Sequence, residues 1–242
     1  MKNLKLGLLA TLSLVGASFG TPVNGTSLQT ILNNLSVDGV SDVNVNTDQV
    51  SADEYWQLTA SGGSIATMII EVAGYAGSNR LGIYDGANPS SKVYLFQGVN
   101  TDGDMASVSL KANGTVYVNN QIQKDASNNN IIFSGPTFGY FLEGPGGTFY
   151  SNDALNTDGK DHMVAYQGKG ETVTLPGYYP APWSQNEYVL AWEDVAAPGA
   201  DFDFDDMVLM VESVHPVPEP TTLGLMGLGL MGMAFAARRR NK

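Results

Sequence analysis

Between Ala106 and Asn120 the chain reads ASVSLKANGTVYVNN. Apolar and small polar residues alternate on both sides of Asn113-Gly114, with Val108 and Leu110 on one arm and Val116 and Val118 on the other. Period-two alternation places such residues on one face of a strand, and Asn-Gly supplies the positive φ that a tight hairpin turn requires. A chain that contains this unit must build antiparallel sheet. Further strand signals follow at Ile65–Ala73, Leu81–Tyr84, Val93–Gln97, Ile131–Ser134, Phe138–Glu143, His162–Gln167, Tyr188–Trp192 and Met207–Val214, separated by Gly, Pro and Asn clusters. Many short strands with punctuated turns predict a mostly β protein, an antiparallel β-sandwich of jelly-roll-like type with at most one or two short helices. One helix is expected over Ser27–Leu35, with Ser27 as N-cap and Leu28, Ile31, Leu32 and Leu35 on one face. NTDG occurs twice, at Asn100–Gly103 and Asn156–Gly159, and each copy reads as a turn. The Asn-rich stretch Asn119–Ile131 reads as a solvated loop.

The two ends differ from this body. Residues 1–20 carry Lys2 and Lys5, then an apolar run from Leu6 to Val15, then small residues with Ser18 and Gly20 suited to a cleavage site. That is the form of a Sec signal peptide, so the Sec machinery is an expected partner and the mature chain is expected to begin near Thr21. Residues 215–242 hold Val217-Pro218-Glu219-Pro220, an apolar run from Leu223 to Ala237 and the cluster Arg238-Arg239-Arg240. The run falls short of the roughly 20 residues of a permanent membrane helix, so transient membrane contact before processing is expected, with the arginines on the cytoplasmic side. The prolines keep the preceding segment extended. His215, beside this segment, reads as linker.

These three parts in this order resemble a PEP-CTERM sorting signal. The resemblance implies recognition by an exosortase, a membrane-embedded protease, and a secreted or cell-surface protein of a Gram-negative bacterium that makes exopolysaccharide. It covers only the last 26 or so residues.

Residues 21–214 form the body. They carry 23 acidic against 6 basic residues, a net charge of −17. A field of that sign repels nucleic acid and anionic polymers unless cations bridge them, and it favours divalent cations. There are no cysteines, so disulfides, thiolate metal sites and cysteine nucleophiles are excluded.

The densest chemistry is YVLAWEDVAAPGADFDFDDMVLMVES, where two apolar strands flank a loop. Glu193, Asp194, Asp201, Asp203, Asp205 and Asp206 place six carboxylates within fourteen positions, and no Lys or Arg occurs between Lys169 and Arg238. Such a group needs a counter-charge, and a hard divalent cation is the simplest. Oxygen ligands point to Ca²⁺ rather than zinc. The D-x-D-x-D alternation lets the aspartates converge while Phe202 and Phe204 turn towards the core. Glu212 falls eleven residues after Asp201, as in an EF-hand, but position six is Asp206 rather than Gly and a strand follows at once, so a different calcium loop is expected. The alternatives are a solvated acidic loop and a catalytic acid pair.

The same stretch resembles a domain family of unknown function from secreted and surface bacterial proteins. The shared pattern is a hydrophobic strand ending in Glu193-Asp194, a loop with Gly199, then Asp201–Asp206 and a second hydrophobic strand. Position 205 is Asp where the family commonly has Asn. The resemblance extends with less specificity through GIYDGANPSSKVYLFQG and SNDALNTDGKDHMVAYQG, and it carries no established activity.

An enzyme is the weaker reading. Glu193 with a nearby aspartate suits a carbohydrate-active hydrolase, with Trp183 and Trp192 as aromatic platforms. A nucleophilic triad has little support: of the two histidines, His162 reads as structural, oriented by Asp158 or Asp161, and no G-x-S-x-G elbow occurs. The leading expectation is a non-enzymatic surface or matrix protein, calcium-stabilised and associated with extracellular polysaccharide or adhesion.

Overall fold

The Asn113-Gly114 hairpin forms in the register that the alternation requires, with Val108 opposite Val118 and Leu110 opposite Val116. Lys111 and Thr115 close the turn, and Gly114 sits at φ +82°, where a Cβ would fall 2.1 Å from the Phe133 carbonyl oxygen. Only glycine fits there. In this computed structural model residues 21–59, 64–71 and 77–218 are described. Residues 1–20, Glu219, Pro220, the apolar run and Arg238–Arg240 lie outside them. Among the described residues no helix is long and apolar enough to cross a membrane.

The described elements are α1 (Ser27–Leu35), β1 (Trp56–Leu58), β2 (Ser64–Glu71), β3 (Arg80–Asp85), β4 (Asn88–Phe96), β5 (Met105–Leu110), β6 (Val116–Val118) and β7 (Gln121–Ile122). They continue with β8 (Thr137–Gly144), β9 (Gly147–Tyr150), β10 (Met163–Gln167), β11 (Thr172–Val173), β12 (Ala181–Pro182), β13 (Glu187–Trp192), β14 (Met207–Glu212) and β15 (Val214–Pro216). One sheet has the order β15-β1-β8-β3-β4, with β9 also on β8. The other has the order β10-β13-β14-β2-β5-β6-β7, and β11 and β12 form a small separate pair. Every pairing is antiparallel, so the mostly β, antiparallel expectation holds, and the shared core described next is consistent with a sandwich.

Inward residues of both sheets share one core. Trp56 on β1 meets Tyr140 on β8 and, across the gap, Tyr188 on β13, with ring centroids 5.9 and 5.0 Å apart. A second apolar cluster covers the other face of the larger sheet. There Leu28, Leu32 and Leu35 of α1, with Trp183 and Phe204, pack on Val164, Tyr166, Val189, Ala191, Val208 and Met210. Strands β10, β13 and β14 are thus buried on both faces, which is why YVLAW and MVLMV read as continuous apolar runs rather than alternating ones.

Three local expectations change. Thr26, not Ser27, precedes the helix, and the Ser27 hydroxyl donates instead to Asp203 Oδ2 at 3.0 Å. Ile131–Ser134 forms no ladder strand: Thr115 bridges Ile132, and Phe133 tucks under the hairpin turn through its N–H to Gly114. His215 is not linker, because β15 pairs with β1, placing His215 opposite Gln57. Both NTDG copies do turn, with Gly103 and Gly159 at positive φ.

Candidate metal centre

Strands β13 and β14 pair from Glu187 opposite Glu212 to Trp192 opposite Met207. That register makes Glu193–Asp206 the loop at one end of the pair and sends Glu212 to the other end, so no EF-hand arrangement forms. Glu193 and Asp194 are buried, Asp203, Asp205 and Asp206 are half-buried, and Asp201 is exposed.

Two acidic groups share Glu193. Carboxylate oxygens of Glu193, Asp194 and Asp206 lie within 4.8 Å of one another, and so do those of Glu193, Asp201 and Asp203. Asp205 belongs to neither group; its N–H donates to Asp203 Oδ1 at 3.3 Å.

The backbone around them is tightly determined. The Phe202 N–H donates to Glu193 Oε2 at 2.8 Å and the Val195 N–H to Oε1 at 3.3 Å. The Asp194 N–H donates to Asp206 Oδ2 at 2.9 Å, closing the neck of the loop. Asn24 donates its backbone N–H to the Phe202 carbonyl at 2.8 Å and its side-chain amide to the Asp201 carbonyl. Phe202 and Phe204 both adopt φ +56°, a left-handed conformation that costs a non-glycine residue roughly 1 kcal/mol or more. Burial of Phe204, fully enclosed in the outer core, offsets this, and Phe202 packs partly on the same cluster. The phenyl rings turn inwards and Asp201 and Asp203 gather with Glu193, while Asp205, expected to converge with them, stands outside both groups.

Behind the loop, His162 is a buried brace. Its ring stacks on Phe149 at 4.0 Å, Nδ1 lies 3.1 Å from the Glu193 carbonyl oxygen and Nε2 lies 3.1 Å from Asp158 Oδ2. Asp158 also accepts the Ala197 N–H at 3.0 Å, so of the two carboxylates expected to orient His162, Asp158 does so. Asp161 instead accepts from the Thr21 hydroxyl and the Met163 N–H. Trp183 and Trp192 are core residues, not surface platforms.

The electrostatics follow from burial without a cation nearby. Among the described residues no Lys or Arg ion pair reaches the six acids. Burial, then the neighbouring Asp206, raises the Glu193 carboxyl to about 8. Burial, then Asp194 among other acids, raises Asp206 to about 7. Burial raises Asp194 as well, against a 2.9 Å hydrogen bond from the Asn79 amide, and raises Asp205 with Asp203 as a second cause. Asn79, Ser27 and Asn24 are the supporting residues that the sequence did not disclose.

The fold and site define an antiparallel β-protein with a cluster of acidic side chains in the loop between β13 and β14. A domain of unknown function, DUF4114, is found at residues 101–214, and a PEP-CTERM protein-sorting motif at residues 216–240. The first contains the whole acidic loop and the 151–168 stretch, but not residues 82–98. The second contains Val217, Pro218, Glu219, Pro220 and Arg238–Arg240. The sorting motif marks an extracellular or cell-surface protein processed by an exosortase. No curated protein and no solved structure matches the chain.

Proposed function

We propose that this is a calcium-stabilised surface or matrix protein of a Gram-negative bacterium, active among extracellular polysaccharide in an adhesive role. Residues 1–20 direct export through Sec, residues 21–214 form the working body, and the C-terminal signal is removed or used for attachment. The observation that carries the calcium reading is the pair of carboxylate triplets sharing Glu193, with no lysine or arginine ion pair reaching them among the described residues. Ca²⁺ takes six to eight oxygen ligands in flexible geometry. Glu193, Asp194 and Asp206 would hold one ion, and Glu193, Asp201 and Asp203 a second, with Asp205 as an outer charge. Convergence of this kind suits a cation better than glycoside hydrolysis, which needs two carboxylates spaced on either side of a sugar bond.

A cation that binds only the folded state stabilises it by RT ln(1 + [L]/Kd). Thermal unfolding in EDTA, then in millimolar Ca²⁺, with Mg²⁺ as the control, tests this. A rise of several degrees specific to Ca²⁺ and lost in Asp203→Ala is the expected result. An unchanged midpoint would return the acids to a solvated loop.

A further inference from the structure

The outward face of the smaller sheet is paved with aromatic rings. Ring centroids run from Tyr55 to Tyr84 at 6.4 Å, Tyr84 to Tyr150 at 5.3 Å, Tyr150 to Phe141 at 6.5 Å and Phe141 to Tyr94 at 5.4 Å. Two glycines make room for the rings, which meet edge-on or tilted. A Cβ on Gly82 would fall 2.7 Å from the Phe141 ring, and one on Gly139 would fall 2.2 Å from the Tyr84 ring. Phe141 and Tyr84 therefore lie down on the sheet as a buried floor, and Tyr55, Tyr94 and Tyr150 stand half-exposed along it.

The row ends at Tyr94 on edge strand β4, which lines a cleft of about 600 Å³ between β4 and the chain after β7. Gln97, Gln123 and Asn130 bring amides to this cleft and Ser90 and Ser91 bring hydroxyls. Its charged groups already have partners within the fold. Lys92 donates to Glu143 at 2.6 Å and Arg80 pairs with the same carboxylate, lying 4.7 Å over the Tyr94 ring. Lys124 donates to Asn128 at 3.0 Å, and Asp125 accepts the Ser127 and Asn129 N–H groups. What remains for a ligand is the partly exposed rings of Tyr55, Tyr94 and Tyr150, with amides and hydroxyls.

We infer that this cleft and the ring row leading to it bind a chain of uncharged polysaccharide. The C–H faces of successive sugars cover the tyrosine rings, and their hydroxyls exchange hydrogen bonds with the amides. The net charge of −17 on the body turns away acidic polymers, and Arg80, Lys92 and Lys124 already hold partners within the fold. This names the ligand of the polysaccharide role proposed above and rests on that reading, but it needs no calcium.

Affinity electrophoresis of the full chain in detergent and EDTA tests it, with gels containing dextran, hydroxyethylcellulose, galactomannan or polygalacturonate. At least one of the three uncharged polymers should retard the protein, and polygalacturonate should not. Tyr94→Ala and Gln123→Ala should each weaken retention about tenfold, the equivalent of one stacking or hydrogen-bonding contact. Tyr94→Phe, which keeps the ring, should bind, and so should Tyr179→Ala, which removes an exposed aromatic elsewhere. Four results would overturn the inference: no retention by the uncharged polymers, stronger retention by polygalacturonate, loss through Tyr179 rather than Tyr94, or a Tyr94-dependent dimer in place of glycan binding. Retention that appears only when Ca²⁺ is restored would overturn it too, while leaving the calcium reading intact.

Discussion

The Phe202 N–H meets Glu193 Oε2 at 2.8 Å, so the chain that leaves β13 at Glu193 is folded back on that same residue nine positions later. One buried carboxylate thereby organises the loop twice, as acceptor for the backbone and as the acid common to both carboxylate groups. The two roles separate by substitution.

Glu193→Gln keeps an oxygen for the Phe202 N–H and removes the charge. In EDTA this variant should unfold at or above the wild-type temperature, because a buried, repelled charge is gone. The Ca²⁺-dependent rise should disappear. Glu193→Ala removes the acceptor as well and should be destabilised by about 1–3 kcal/mol with or without Ca²⁺. Paired thermal scans of the two variants check this.

Glu193 and Asp206, raised to about 8 and about 7, set a pH dependence. A carboxyl whose folded value lies above its unfolded one keeps its proton longer in the folded state. The calcium-free protein should therefore be most stable on the acidic side and lose stability as pH rises from about 5 to about 8. Asp48, held below the ordinary range by its hydrogen bond from Lys169, is already ionised in this window and adds no slope. Urea midpoints across the window should fall in EDTA and fall less steeply in Ca²⁺, where Asp53 and Asp161, raised by burial away from the loop, still contribute. A flat EDTA profile would contradict the burial of these acids.

Phe204 is fully enclosed in the outer core although its φ is left-handed. Phe204→Ala should cost about 3–5 kcal/mol, lowering the midpoint by roughly 10 °C for a body of this size. Calcium affinity, measured by isothermal titration on the folded variant, should fall as well, since the ring is what holds Asp203 and Asp205 in place.

Gly114→Ala tests the hairpin. A methyl group 2.1 Å from the Phe133 carbonyl oxygen at φ +82° has no room, and a loss of about 1–3 kcal/mol is expected in chemical denaturation. Ala112→Gly, two residues away, should be far milder.

The hairpin and the acidic loop were legible because their parts are neighbours in the chain, where alternation, Asn-Gly and carboxylate spacing act directly. The double burial of β13 and β14 was also written into their unbroken apolar runs. The supports were not legible: Ser27 lies 176 residues from Asp203, and Asn79 lies 115 residues from Asp194. No local pattern encodes such contacts. The five-ring row is hidden for the same reason, since β3, β4, β8 and β9 contribute one ring each, Tyr55 stands just before β1, and only the sheet register aligns them. Strand β15 escaped notice because three residues ending in proline carry almost no strand signal.

That last strand sets a tether length. β15 is stitched to β1, and beyond it the Val217 N–H still donates to the Tyr55 carbonyl at 2.7 Å. Five residues, Pro218–Thr222, then separate Val217 from the apolar run at Leu223. Fully extended, that gap spans at most about 20 Å. A protease that reads Pro218-Glu219-Pro220 must work in a slot narrower than a small protein domain, or wait for β15 to peel from the sheet edge.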